Sequence, residues 1–283
     1  YYCKSLTSVT ISGNIDFIGN YAFCYCESLT RLEVPDSLAE IKDYVFEHCI
    51  NLESITTLDN VVSIGWFSFS FCISLKSITI PSGLSSISGS AFSNCKSLTS
   101  LTIPSNIRYI CSGAFSDCSG LTSVTIKNAE YIGENAFSDC SGLTSLVMPL
   151  SAREIRRYAF FNCSKLTEIN IPDGIDEIRS GVFAECSSLA YIVIPESVTS
   201  IESNAFSGTA LTNMTLSDYI TNIGSNAFSR CKDLKNITLP ETIESIEEGT
   251  FSNCTSLTNI IIPQKVATID KRAFSGCTSL TNV

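Results

Sequence analysis

Apolar positions recur along this chain with one long period. Phenylalanine returns twelve times at steps of 23 residues, twice 22: Phe23, Phe46, Phe69, Phe92, Phe115, Phe137, Phe160, Phe183, Phe206, Phe228, Phe251 and Phe274. An isoleucine stands five residues before each of them, from Ile18 to Ile269, and a cysteine three residues after in eleven of the twelve coils. Leucine follows three positions later, as at Leu29 and Leu52, and then two apolar residues one apart, as at Ile78 and Ile80. All eight prolines fall just after that pair, from Pro35 to Pro263. A strict period in this range is the mark of a solenoid, in which each coil buries its apolar face only against its neighbours. No linker or composition shift interrupts it, so residues 1–283 read as a single domain.

The in-out-in order of Ile78, Thr79 and Ile80 predicts a short strand. Proline directly after it supplies no N–H and ends the pairing. The stretch from Gly133 to Cys140, G-x-x-A-F-x-x-C, carries small and apolar residues at helix-like spacing and predicts about one helical turn. The expectation is therefore one short parallel strand per coil with short helical turns opposite. Strands stacked roughly 4.8 Å apart would give a rod on the order of 60 Å long. Two coils run one residue short, near Lys127 and at Ser207 to Leu211, where Thr209 also replaces the cysteine. Both deletions fall in expected turns, which absorb length changes most easily.

The run from Ile132 to Pro149, I-G-x-x-A-F-x-x-C followed by leucine, alternating apolar residues and proline, resembles the BspA-like, treponeme-type leucine-rich repeats. Such repeats occur in bacterial surface antigens and in surface proteins of parasitic protozoa. The resemblance covers essentially the whole chain. It implies an α/β solenoid, a right-handed leucine-rich-repeat superhelix of about twelve coils of 22–23 residues. It also implies adhesion or protein binding without catalysis, at a cell surface or after secretion. The partner would be a host, neighbouring-cell or matrix protein. An intracellular scaffold for protein–protein interaction is the alternative.

Composition narrows the function further. A net charge of −10 disfavours nucleic acid, whose binding rests on neutralising phosphates with Lys and Arg, and equally disfavours anionic lipid. No apolar run approaches the 18 residues of a membrane span, so direct membrane insertion of this segment is not expected. The chain opens at Tyr1 in mid-coil and stops at Val283 inside a strand, as expected of a fragment whose terminal caps are absent. One histidine, His48, offers no multi-histidine metal site, and no phosphate-cradling glycine motif occurs. An enzyme is therefore not expected, nor a cofactor.

Twelve of the fourteen cysteines form one row, counting Cys3 of the first partial coil. An inward packing position accounts for such a row; ladder disulfides and a zinc site at Cys24, Cys26, His48 and Cys49 are the competing readings. Cys24 and Cys111 lie off the row and are expected to be the exposed, reactive thiols.

Three features break the repeat's monotony. Ser54, Thr56, Ser77, Thr79, Ser100, Thr102, Ser123 and Thr125 should project from the sheet, and no acid occurs between Asn60 and Ser116. Strand preference explains the hydroxyls, and a neutral docking face is the functional reading. Secondly, Tyr21, Tyr44 and Phe67 align two residues before the phenylalanine, with Tyr25, His48 and Phe71 two after it and Trp66 adjoining. They read as a partner-binding or self-association patch, or as packing against a missing cap. Thirdly, Asn162, Asn213, Asn236 and Asn253 begin N-x-[ST] sequons, acceptor sites in a secreted eukaryotic chain.

Overall fold

The computed structural model describes residues 1–56 and 58–283. Most coils contribute two short parallel strands rather than one, but the strand expected at Ile78–Ile80 is not formed, and Asn259 makes only an isolated bridge to Asn282. The expected ladder runs through Ser8–Thr10, Arg31–Glu33 and Ser54–Ile55, then Ser100–Ile103, Ser123–Ile126 and Ser145–Val147, then Glu168–Asn170 with Tyr191–Val193 and Asn213–Thr215 with Asn236–Thr238. A second ladder, missed from the sequence, consists of two-residue strands ending on the invariant isoleucine, as in Glu40–Ile41, Tyr109–Ile110 and Ser200–Ile201. Register is one coil per step: Ser8 faces Arg31, and Ile18 faces Ile41. Eleven full turns separate Phe23 from Phe274.

The helical turns expected opposite the strand are absent; among the described residues no helix occurs. Residues two before and two after each core phenylalanine have φ between +53° and +77°. Two left-handed residues four positions apart cannot belong to one right-handed helical turn. The segment is instead a chain of tight turns bonded to the next coil. The N–H groups at −2, 0 and +2 relative to the phenylalanine donate to carbonyls of the following coil, as Tyr21 to Asp43 (3.1 Å), Phe23 to Val45 (2.9 Å) and Tyr25 to Glu47 (2.8 Å). Every later coil step repeats the three bonds, to Gly249, Phe251 and Asn253. Gly113 and Asn94 suit this geometry, because glycine and asparagine tolerate positive φ.

The core lies between the two ladders and the turn segment. Phe46 to Phe251 are fully buried and stack in one column with centroids 5.1–6.0 Å apart. The cysteine row is packed beside it, and all fourteen cysteines are free thiols. Each internal Sγ–H also donates to the phenylalanine carbonyl of the preceding coil, as Cys72 to Phe46 (3.2 Å) and Cys163 to Phe137 (3.2 Å). Where Thr209 replaces cysteine, its hydroxyl turns instead to the carbonyl of its own Phe206, at 2.8 Å. Among the described residues no buried side-chain polar atom lacks a hydrogen-bond partner.

Candidate functional site

The first three coils place rings where the rest of the solenoid places mostly small or polar residues. Tyr21, Tyr44 and Phe67 occupy the −2 position with φ of +59°, +59° and +55°. Tyr25, His48 and Phe71 occupy the +2 position with φ of +57°, +56° and +59°. Bulky side chains are uncommon in this region of backbone space, although the repeat imposes it on every coil and Tyr158, Glu185, Arg230 and Arg272 adopt it later in the chain. Later coils use Gly113 with Asp117, Asn135 with Asp139, and Gly249 with Asn253.

Because successive coils are in register, the rings form two parallel stacks. Tyr21 meets Tyr44 at 4.7 Å and Tyr44 meets Phe67 at 5.0 Å, with planes within 6°. Tyr25 meets His48 at 4.4 Å and His48 meets Phe71 at 4.3 Å. Stacking along the solenoid axis covers the ring faces, while Tyr21 and Phe71 remain exposed. Trp66 stands beside the first stack, 62% exposed, its backbone N–H donating to the Asp43 carboxylate at 2.7 Å. Six of the seven residues expected to form an aromatic patch thus stand in two stacks, and Trp66 makes no ring pair with them among the described residues.

The electrostatics of this patch are acidic. Residues 1–59 carry nine carboxylates against three basic side chains. Burial, and after it the carboxylate of Glu47, pushes the Tyr25 phenol above its ordinary range; for Tyr21 burial acts first, then Tyr44 and Glu47. Both phenols therefore stay protonated. Cys24 corrects an expectation: it is buried, not exposed, and its Sγ donates to Glu47 at 3.4 Å. Burial and that bond push the thiol up to about 12, so it is not a reactive thiolate. Cys111 is half-buried, and burial raises its thiol as well. The exposed thiol is Cys3. Among the described residues no group of three His, Cys, Asp or Glu side chains is placed to hold a metal ion.

The hydroxyl face is less uniform than its sequence. Ser54, Ser77, Thr79, Ser100 and Thr102 are exposed, whereas Ser123 and Thr125 are half-buried. Thr56 is half-buried too, its hydroxyl accepting the Val34 N–H at 3.0 Å. Of the four sequon asparagines, Asn162 is half-buried and its amide donates to Asp139 at 2.8 Å. Asn213, Asn236 and Asn253 are exposed, with Asn236 donating to Asn213 at 2.9 Å.

The model of the BspA type leucine rich repeat region matches in 6 copies, over residues 1–122, 109–234 and 199–283. Comparison with curated proteins returns no match. Among solved structures, a leucine-rich repeat protein from Bacteroides ovatus is 29% identical with a TM-score of 0.76, over 100% of this chain and 75% of its own. A leucine rich cell surface protein from Faecalibacterium prausnitzii is 26% identical with a TM-score of 0.60, over 98% and 86%. A leucine-rich repeat protein from Eubacterium ventriosum shares the fold at 21% identity and a TM-score of 0.56, over 98% and 72%.

Proposed function

Because the chain belongs to the BspA-type leucine-rich repeat family, we propose that it is a non-enzymatic binding module of a cell-surface or secreted protein, docking its partner at the double aromatic stack. One observation carries this reading. Six ring-bearing side chains sit in a backbone conformation that other coils give mostly to Gly, Asn and Asp, side by side and partly exposed. Aromatic anchors flanked by polar groups dominate the energetics of protein interfaces. The surface description of the Faecalibacterium relative supports the location. The partner is a protein on a host cell, a neighbouring cell or the matrix, and a second copy of this chain is one such partner. The exposed hydroxyls of Ser77, Thr79, Ser100 and Thr102 extend the docking face.

The test combines Trp66→Ser with Tyr44→Asn. Beads coated with parent and variant protein are counted on cell monolayers, and light scattering gives the oligomeric state. Equal adhesion together with an equal oligomeric state would end the docking reading. The fourteen unpaired thiols favour a second reading, an intracellular scaffold, since disulfides accumulate in oxidising compartments. Protease shaving of intact source cells separates the two: a surface module is cleaved, a scaffold is spared.

A further inference from the structure

The outward face of the main ladder is interrupted in several places, one of them between Ser145–Val147 and Glu168–Asn170, which share no strand pairing although their coils are equal in length. An open groove of about 580 Å³ lies across this break, in the range of ligand-binding clefts. Elsewhere on this face the outward positions are mostly Ser, Thr and Asn. Here they are Val147, 56% exposed, with Tyr191 at 65% and Val193 at 56%. Among the described residues that line the groove Glu168 alone is charged, between Ser145 and Tyr191 along the axis.

Among the described residues no basic side chain comes within ion-pair distance of Glu168. The same face shows what a satisfied acid looks like: Glu33 is held by Arg31 at 2.9 Å. An unpaired carboxylate among exposed aliphatic groups and a tyrosine ring is complementary to a cation on an apolar stem. Arginine and lysine have that build, with methylenes for the valines and a charged head for carboxylate and ring. The chain's charge of −10 adds to the attraction.

We propose that this groove docks an extended segment of a partner protein in which one Arg or Lys is flanked by apolar residues two positions away on either side. In an extended peptide these three side chains share a face. The cation lies on Glu168 and Tyr191, and the apolar neighbours cover Val147 and Val193. The site stands apart from the aromatic stacks, so either can fail without the other.

The probe is a capped pentapeptide, Leu-Ser-Arg-Ser-Leu, titrated into the labelled chain at millimolar concentration and followed by amide chemical shifts. Shifts confined to residues 145–147, 168–171 and 191–193 are expected. Glu168→Gln, at an exposed position, should leave the free spectrum otherwise intact and weaken binding about tenfold, as loss of one charge-assisted contact would. The same peptide with Glu in place of Arg should not bind. Absence of shifts, shifts centred on the aromatic stacks, or an affinity indifferent to Glu168→Gln would each overturn the proposal.

Discussion

Tyr44 permits the backbone contribution of the left-handed positions to be separated from the stacking. Its ring stacks on Tyr21 and Phe67 at 4.7 and 5.0 Å, and its φ is +59°. Each ring pair contributes about 0.5–1.5 kcal/mol, so losing both costs about 1–3 kcal/mol. The left-handed conformation costs an ordinary L-residue about 1–2 kcal/mol, part of which asparagine recovers by local hydrogen bonding of its amide. Tyr44→Asn should therefore destabilise by a net of about 0–2 kcal/mol. Tyr44→Ala loses the same rings without that relief, and should be less stable than the Asn variant by about 1 kcal/mol. Urea denaturation of the two variants reads the difference directly, because the ring terms cancel between them. An alanine variant as stable as the asparagine variant would refute the strain argument. A loss above about 4 kcal/mol in both would mark Tyr44 as a structural residue instead of a docking one.

Phe137→Ala, which removes a fully buried ring stacked on Phe115 and Phe160, should cost about 3–5 kcal/mol. Hydrogen exchange should show protection lost first in the coils beside it, since coils touch only their neighbours. Thiol titration of the native chain should find Cys3 reacting fast and the half-buried Cys111 slowly, with the eleven buried cysteines reacting only on unfolding. Burial opposes ionisation of Glu202, but the Ser180 N–H and hydroxyl and the Arg179 and Arg157 guanidinia hold its carboxyl below the usual range. A depressed folded-state value contributes stability above the unfolded glutamate value of about 4.3, which is lost as pH falls through the folded value. Glu202→Gln should therefore lower the urea midpoint at pH 7, and that loss should shrink progressively as pH falls below about 4.3.

The architecture was legible because Phe, Ile, Cys and Pro each hold one place in the period, and packing in register requires such repetition. The second ladder escaped because its strands are two residues long, as in Glu40–Ile41, too short for alternation to register. The turn segment was misread as helical because alanine four and phenylalanine three residues before cysteine imitate a helix face. Glycine, asparagine and aspartate at −2 and +2, as at Asn135 and Asp139, were the available signal for left-handed backbone. In the first three coils aromatics hid it. Those same aromatics were picked out from sequence, since contiguity follows from register alone. The groove at Glu168 was not, because a break in strand pairing between coils of equal length leaves no mark on the period. Cys24 was misplaced for a related reason: lying off the row does not mean facing water.

The hydrogen bonds between coils run one way on the turn side of the molecule and both ways on the ladders. On the turn side N–H groups donate forward, as Phe46 to Ser68. On the second ladder donation runs both ways, backward as Lys42 to Ile18 and Gly65 to Ile41, and forward within the parallel strand pairs themselves. Along the turn side a coil's leading and trailing surfaces are thus plug and socket, keyed so that an inverted coil finds donors facing donors there. Any coil can follow any other, but only the same way up. Excising one whole period, residues 138–160, leaves plug against socket and should yield a shorter chain that still folds. Cutting half a period would leave the key without its lock.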